Sequence, residues 1–285
     1  MFIINKDELN YLNLMSDILK YGEEKKDRTS IGTLSLFGEK LKFSLTNNTL
    51  PLLTTKKMFF KGVVEELLFF IRGETDTKKL EKKGVNIWKG NTSREFLDKC
   101  GLYSFPEGEM GKMYGKQWRD FNDQKIDQLQ NVINLIKNDP NSRRIMMTAL
   151  NPAQINEGVL APCHTFVQFF VNNKNELSCQ MYQRSADVFL GVGFNIASYA
   201  LLTHIIAQVT NKKAKELIIV FGDTHIYKNH IDQANEQIKR IPYEFPKIKI
   251  NKSLSSINDM ENLSFDDFQL IGYNYHPTIK APMAV

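Results

Sequence analysis

Two stretches, "FKGVVEELLFFIRG" and "FNIASYALLTHIIAQV", constrain this chain most, because each is apolar almost all the way round a helical period. A helix without a polar face cannot lie on a surface, so both are expected to run through the interior. The chain has the material to enclose them: 285 residues with 42% hydrophobic content support one large core, and a single domain over residues 1–285 is expected. The first stretch stops at Gly73 and carries Glu65 and Glu66 into that interior, where a carboxylate is costly.

Other periods surround these two. Leu9, Leu12, Met15, Ile18 and Leu19 recur at helical spacing, and "TLSLFGEKLKFSL" alternates like a strand pair, which predicts a helix leading into a hairpin. "IDQLQNVINLIKNDPNS" predicts an amphipathic helix stopped by Pro140. "RRIMMTAL", "HTFVQFFV", "ELSCQMYQRS" and "ELIIVFG" predict strands, and "HIYKNHIDQANEQIKR" a further helix. Helices and strands interleave irregularly, without repeats or low-complexity linkers, so an α+β fold is expected rather than repeated βαβ units.

Lysine and arginine exceed aspartate and glutamate by 37 to 32, a net charge of +5 that suits an anionic small molecule as well as a nucleic acid. Lysine clusters such as "GEEKKDR" and "KKLEKKG" carry glutamates among them and fit a solvated surface. Cys100, Cys163 and Cys179 are an odd number at unrelated spacings, which fits neither a disulfide framework nor a zinc site. No metal and a reducing, cytoplasmic setting are expected. "MFIINKDELNYL" lacks a basic region followed by a long apolar stretch, and later apolar segments are interrupted by Glu65, Glu66 or His204, so neither a signal peptide nor a membrane span is expected.

Cys163, in "LAPCHTFVQFF", is the candidate nucleophile. A free cysteine is usually a small core residue. Here Pro162 precedes it and Arg143, Arg144 and Arg184 lie about twenty residues away along the chain; adjacent strands would surround the thiol with cations and create an anion clamp. Spacing alone also fits cross-strand or surface cations. A Cys-His protease fits poorly, since His164, directly after the cysteine on a strand, points to the opposite face. "LGVGFN" lacks the last glycine of a dinucleotide loop, because position 196 is Ile.

Eight strings along nearly the whole chain resemble the thymidylate synthase family in order and content. They are "DRTSIGTLSLFG", "LPLLTTKK", "EELLFFIRGETD", "SRRIMMTALNP", "LAPCHTFVQFFV", "LSCQMYQRSADVFLGVGFNIASYALL", "GDTHIYKNH" and "GYNYHPTIKAPMAV". The resemblance implies a large, mostly antiparallel sheet with packed helices, the sheets of two subunits lying back to back. It also implies a reaction: reductive methylation of dUMP to dTMP with 5,10-methylenetetrahydrofolate as one-carbon and hydride donor. In it, the Cys163 thiolate adds to uracil carbon 6 and makes carbon 5 nucleophilic.

The same resemblance implies the other roles. Arg28, Arg184 and Ser185 would bind the dUMP phosphate, with Arg143 and Arg144 donated across a homodimer interface. Glu66 would organise water at the uracil carbonyl, and Tyr114 would assist removal of the carbon 5 proton. Asn195 would read the uracil edge, and His225 and Tyr227 would hold the 3′-hydroxyl. Asp187 would act at the folate pterin and border both ligands. Ile87, Trp88, Leu190, Gly191, Phe194 and Phe59 would line the folate side, Lys56 would attract its glutamate tail, and Ala284 with Val285 would belong to a closing lid. Taken alone, Tyr114 fits a half-buried structural tyrosine, Trp88 a core residue and His225 a satisfied structural histidine.

Three positions depart from the family by replacing a proline: Lys112, Gly193 and Tyr275. All three are expected to loosen loops, two of them beside Tyr114 and Asn195. Two alternatives accompany the main expectation: a dUMP hydroxymethylase, in which water instead of hydride quenches the intermediate, and a nucleic-acid-binding protein using the same phosphate-binding surface.

Overall fold

The computed structural model describes residues 5–27 and 30–282. In chain order the helices are α1 (Lys6–Tyr21), α2 (Phe60–Ile71), α3 (Lys78–Glu81), α4 (Arg94–Lys99), α5 (Gly115–Arg119), α6 (Gln128–Asn138), α7 (Val192–Val209), α8 (Ile231–Ile238) and α9 (Ile257–Glu261). The strands are β1 (Glu23–Lys25), β2 (Thr33–Phe37), β3 (Lys40–Ser44), β4 (Met146–Thr148), β5 (His164–Val171), β6 (Glu176–Asp187), β7 (Lys213–Tyr227), β8 (Lys247–Ile250) and β9 (Phe268–Ile271).

The expected α+β class is the observed one. The main sheet runs β1-β2-β7-β6-β5-β4, with β3 also on β7, and every pair is antiparallel except β6 with β7. A parallel pair needs a crossover, and α7 supplies it. That explains the missing polar face: α7 has the length and apolarity of a bilayer-crossing helix, yet it is enclosed by β6, β7, α2 and α9. The other all-apolar segment, α2, is also buried, and Gly73 behind it is left-handed at φ 66°. Asp127 caps α6 by accepting the Gln130 N–H at 2.9 Å.

On β5, Val167, Phe169 and Val171 face the helices, while Phe166 and Phe170 face outward. The outward face of the sheet therefore exposes apolar side chains among polar ones: Phe166 lies opposite Tyr182, Met146 opposite Gln168, and Phe170 is 63% exposed, with Gln180 between.

Three expectations need correction. β2 and β3 are not a hairpin; both pair antiparallel with β7, β2 along Asp223–Tyr227 and β3 along Glu216–Val220. Gly38, at φ 87°, bends one continuous edge between them, and its N–H donates to the Gly222 carbonyl. The helix expected from His225 begins only at Ile231, because β7 continues through Tyr227. Arg143 and Arg144 lie in the turn before β4, not on a strand.

Candidate active site

Cys163 sits half-buried at the entry to β5. Its N–H donates to the Tyr114 hydroxyl at 3.0 Å, and its carbonyl accepts from the Arg184 N–H at 2.8 Å. The Arg184 guanidinium is fixed by two backbone acceptors, Nε to the Pro162 carbonyl at 2.8 Å and Nη2 to the Ala161 carbonyl at 2.7 Å. This holds Nη2 3.9 Å from the Cys163 sulfur, where a cation favours negative charge. Of the three arginines near Cys163 in sequence, Arg184 is the one brought to the thiol. Arg143 and Arg144 are exposed on the sheet's outer side, among Gln168 and Phe170 and among Met146 and Phe166 respectively.

Tyr114 reaches Cys163 from a left-handed residue, φ 43°, immediately before α5. Its ring is buried, stacked on His164 at 4.1 Å and on Phe70 at 5.0 Å between centroids. Burial, reinforced by the Cys163 sulfur, pushes the phenol well above its ordinary value, so it keeps its proton. Gly115 permits the approach: a Cβ there would lie 2.4 Å from the Phe70 carbonyl oxygen. His164 Nδ1 pairs with the Tyr199 hydroxyl at 2.7 Å, and burial lowers the imidazole to about 3. It is a neutral packing group on the core side, where the bulge between His164 and Phe166 turns it inward against the alternation of the rest of β5, and it is no base for Cys163.

The paired glutamates of α2 diverge. Glu65 is buried and meets Lys83 at 2.6 Å. Glu66 accepts the Trp88 Nε1–H at 2.8 Å, and Trp88 lies 6.0 Å from the Tyr114 ring. Burial pushes the Glu66 carboxyl up to about 7, only partly opposed by the Trp88 bond, and among the described residues no cation is paired to it.

The parallel ladder sets Asp187 beside His225 and Ser185 beside Asp223. Asp223 Oδ1 lies 2.8 Å from His225 Nδ1, which fixes the proton on that nitrogen and leaves Nε2 as an acceptor for a hydroxyl. Tyr227 stands edge-on to His225 at 5.3 Å. Asp223 escaped the sequence reading; its signal was the Asp-x-His spacing, which puts both side chains on one strand face. Asp187 Oδ1 accepts the Leu190 N–H at 3.2 Å and its carbonyl accepts the Gly191 N–H at 3.0 Å, so one turn leads from Asp187 into α7. Asn195 and Phe194 occupy the first turn of α7, half-buried like Leu190 and Ile87, while Phe59 is exposed.

Two lysine expectations fail. Lys56 is buried with its ammonium on the Phe189 carbonyl and 4.0 Å above the Phe189 ring, and burial lowers it to about 8. It faces inward, away from any solvent-borne tail; its neighbour Lys57 is the exposed one. Lys112, expected to loosen its loop, instead makes two ion pairs at 2.6 Å, to Asp123 and Glu157. Gly193 is also not loose, since it packs in the first turn of α7 where a Cβ would lie 2.7 Å from Leu53 Cδ1. Tyr275 lies tilted against Tyr273, ring centroids 4.9 Å apart, with Lys57 over its ring. Arg28, Ala284 and Val285 lie outside the described residues.

Comparison with known proteins gives the family. A family model described as thymidylate synthase matches residues 9–285. The chain is 51% identical to the thymidylate synthase of varicella-zoster virus (strain Dumas), covering 98% of this chain and 94% of that one. It is 50% identical to the human thymidylate synthase, covering 98% and 91%. It is 49% identical to the maize bifunctional dihydrofolate reductase-thymidylate synthase over 98% of this chain, but spans only 55% of that protein's length. A family model that matches residues 9–285, together with relatives about 50% identical over nearly their whole length, leaves one conclusion: the chain belongs to the thymidylate synthase family.

Proposed function

We propose that this protein is a methyltransferase that converts dUMP to dTMP, with 5,10-methylenetetrahydrofolate as cosubstrate and dihydrofolate as second product. The observation that carries the reading is the Cys163 sulfur held 3.9 Å from Arg184 Nη2, with the Tyr114 hydroxyl 3.0 Å from the Cys163 N–H. A thiolate stabilised by a fixed cation can add to carbon 6 of the pyrimidine. Arg184 retains guanidinium donors for the phosphate beyond those its backbone partners use. The amide of Asn195 offers an acceptor for the ring N–H and a donor for the carbonyl of uracil. His225 and Tyr227 bind the sugar hydroxyl, with Asp223 holding the histidine in the useful tautomer.

Tyr114 and Glu66 handle protons. The phenol keeps its hydrogen and can polarise a water or relay a proton near carbon 5. Glu66, titrating at about 7, exchanges a proton with bound water under working conditions. The residues fit the folate as well: half-buried Trp88, Ile87, Leu190 and Phe194 offer flat apolar contact, and the Asp187 carboxylate has capacity beyond the one N–H that Oδ1 accepts. When bound, the folate supplies the one-carbon unit and the hydride.

The functional unit is a cytoplasmic homodimer of single catalytic domains. The uncovered apolar sheet face around Phe166, Phe170 and Tyr182 supports a back-to-back pair, and the exposed positions of Arg143 and Arg144 beside it support donation of both arginines to the partner's phosphate site.

Product analysis tests the activity. Purified protein given dUMP and methylenetetrahydrofolate should yield dTMP and dihydrofolate in equal amounts. Cys163→Ala should drop turnover below about a hundredth while dUMP still binds. Tetrahydrofolate with hydroxymethylated nucleotide would make the protein a hydroxymethylase; no nucleotide chemistry beside salt-dependent RNA or DNA binding would make it a binding protein.

A further inference from the structure

The turn that delivers Tyr114 to Cys163 is held against its own backbone preferences. Tyr114 is left-handed at φ 43°, a conformation that a bulky residue keeps only when its surroundings impose it. Gly111 is left-handed too, at φ 79°, and any Cβ there would lie 2.2 Å from the Glu157 carbonyl oxygen. Backbone bonds tie the turn to residues 157–159: Lys112 N–H to the Glu157 carbonyl at 2.8 Å, and Val159 N–H to the Met110 carbonyl at 3.1 Å.

The Lys112 side chain adds a third segment. Its ammonium stands 2.6 Å from Glu157 Oε2 and 2.6 Å from Asp123 Oδ2. Asp123 is the hub of the cluster, with Lys116 Nζ at 3.0 Å from its other oxygen and Gln154 Nε2 donating to Oδ2 at 2.7 Å. The Asp123 turn is itself strained, since Asn122, Asp123 and Lys125 all have φ near 57°. Beneath it Gln117, on α5, donates from Nε2 to both the Lys112 carbonyl and Gln154 Oε1, each at 2.9 Å. Lys112 thus closes a ring through the Tyr114 turn, α5, the Asp123 turn and the 154–157 segment.

A lone ion pair with this exposure would contribute little to stability. One ammonium shared by two carboxylates on different segments restricts geometry instead, and a catalytic phenol is sensitive to geometry. The two carboxylates hold the Lys112 ammonium above its ordinary value, and Lys112 with Lys116 holds the Asp123 carboxyl well below the usual range, so the clamp keeps its charges at neutral pH.

We propose that Lys112 is a positioning residue for Tyr114: its two ion pairs clamp the Gly111–Tyr114 turn so that the phenol stays at the Cys163 N–H, in register for proton removal from carbon 5 of the nucleotide. The inference rests on the function proposed above for its last clause and on geometry alone for the rest.

Two measurements test it. In ligand-free protein, hydrogen exchange at the Cys163 amide should speed about tenfold in Lys112→Met, which leaves Asp123 and Glu157 without their common cation, and return to the wild-type rate in Lys112→Arg. In turnover, Lys112→Met should lower kcat about tenfold with KM for dUMP within about twofold, and should enlarge the isotope effect with carbon-5-deuterated dUMP. Lys112→Arg should restore both. Asp123→Asn, which keeps the acceptor for Gln154 but loses charge, should fall between wild type and Lys112→Met, and it substitutes if the methionine variant does not fold. An unchanged Cys163 exchange rate, an unchanged kcat, or a fall that merely follows lost thermal stability with the same isotope effect would overturn the proposal. A wild-type protein that made no dTMP would overturn the function instead and leave the amide exchange to decide the clamp.

Discussion

Glu65 and Glu66 are adjacent on α2 and behave as opposites. Glu65 has Lys83 at 2.6 Å, whereas Glu66 faces Trp88 and the tyrosine beside the nucleophile. The Glu66 carboxyl titrates at about 7 in the folded chain against an ordinary 4.5. The folded state therefore binds more protons between those values, and stability falls as pH rises through that window. Glu66→Gln keeps an oxygen for the Trp88 N–H and removes the ionisation. Its melting temperature should equal wild type near pH 4 and exceed it by a few degrees near pH 8, while turnover falls at least about tenfold. Equal melting temperatures at both pH values would mean that Glu66 carries no buried charge. His164 has the contrary sign: lowered from 6.5 to about 3, it contributes stability that is lost as pH falls below about 6.5.

Between elements, the site depends on how closely α2 and α5 approach. Gly115 opens α5 against the backbone of Phe70, with an added Cβ at 2.4 Å from the carbonyl oxygen and 2.5 Å from Cα. Backbone cannot turn aside as a side chain can. Gly115→Ala should therefore destabilise by about 2 kcal/mol or more in urea unfolding. Gly193→Ala is the control, since its Cβ meets only the ends of the Leu53 and Met58 side chains, and it should cost less than about 1 kcal/mol. A Gly115→Ala loss below about half a kcal/mol would mean that the helices separate easily. The same reasoning explains α7: a helix enclosed by a sheet and two helices has no use for a polar face.

The whole molecule presents an unfinished surface. The outer sheet face exposes Phe166, Phe170, Tyr182 and Met146, and Arg143 and Arg144 stand at its margin without reaching the Cys163 site of their own chain. Two copies joined through this face would cover the apolar residues and carry the arginines toward the opposite site. Sedimentation should show a dimer, and Phe170→Glu should give inactive monomers. Mixing inactive Cys163→Ala subunits with inactive Arg143→Glu subunits should restore activity, because one of the two mixed sites carries neither lesion. Verified exchange without rescue would assign Arg143 to its own chain.

Local periodicity made α1, α2, α6, α7, β5 and β6 legible, because a helix or strand repeats within a few residues and its buried face follows from that repeat. Residue types and their order make the candidate site legible through resemblance, which points to Cys163, Tyr114, Glu66, Asp187 and His225. The partners of those residues are not legible there. That "TLSLFGEKLKFSL" follows β7 instead of folding on itself depends on a strand some 180 residues later in the chain, and alternation reads the same in both arrangements. Lys56 turns inward because the Phe189 carbonyl and ring receive it there, and no local pattern distinguishes it from the exposed Lys57. At Lys112, loss of a proline predicted a looser turn through backbone entropy alone; Asp123 and Glu157, distant in sequence and 2.6 Å away in space, bind the turn through charge instead. Periodicity is a property of neighbours along the chain, whereas pairing and electrostatics belong to neighbours in space, and these exist only once the core has closed.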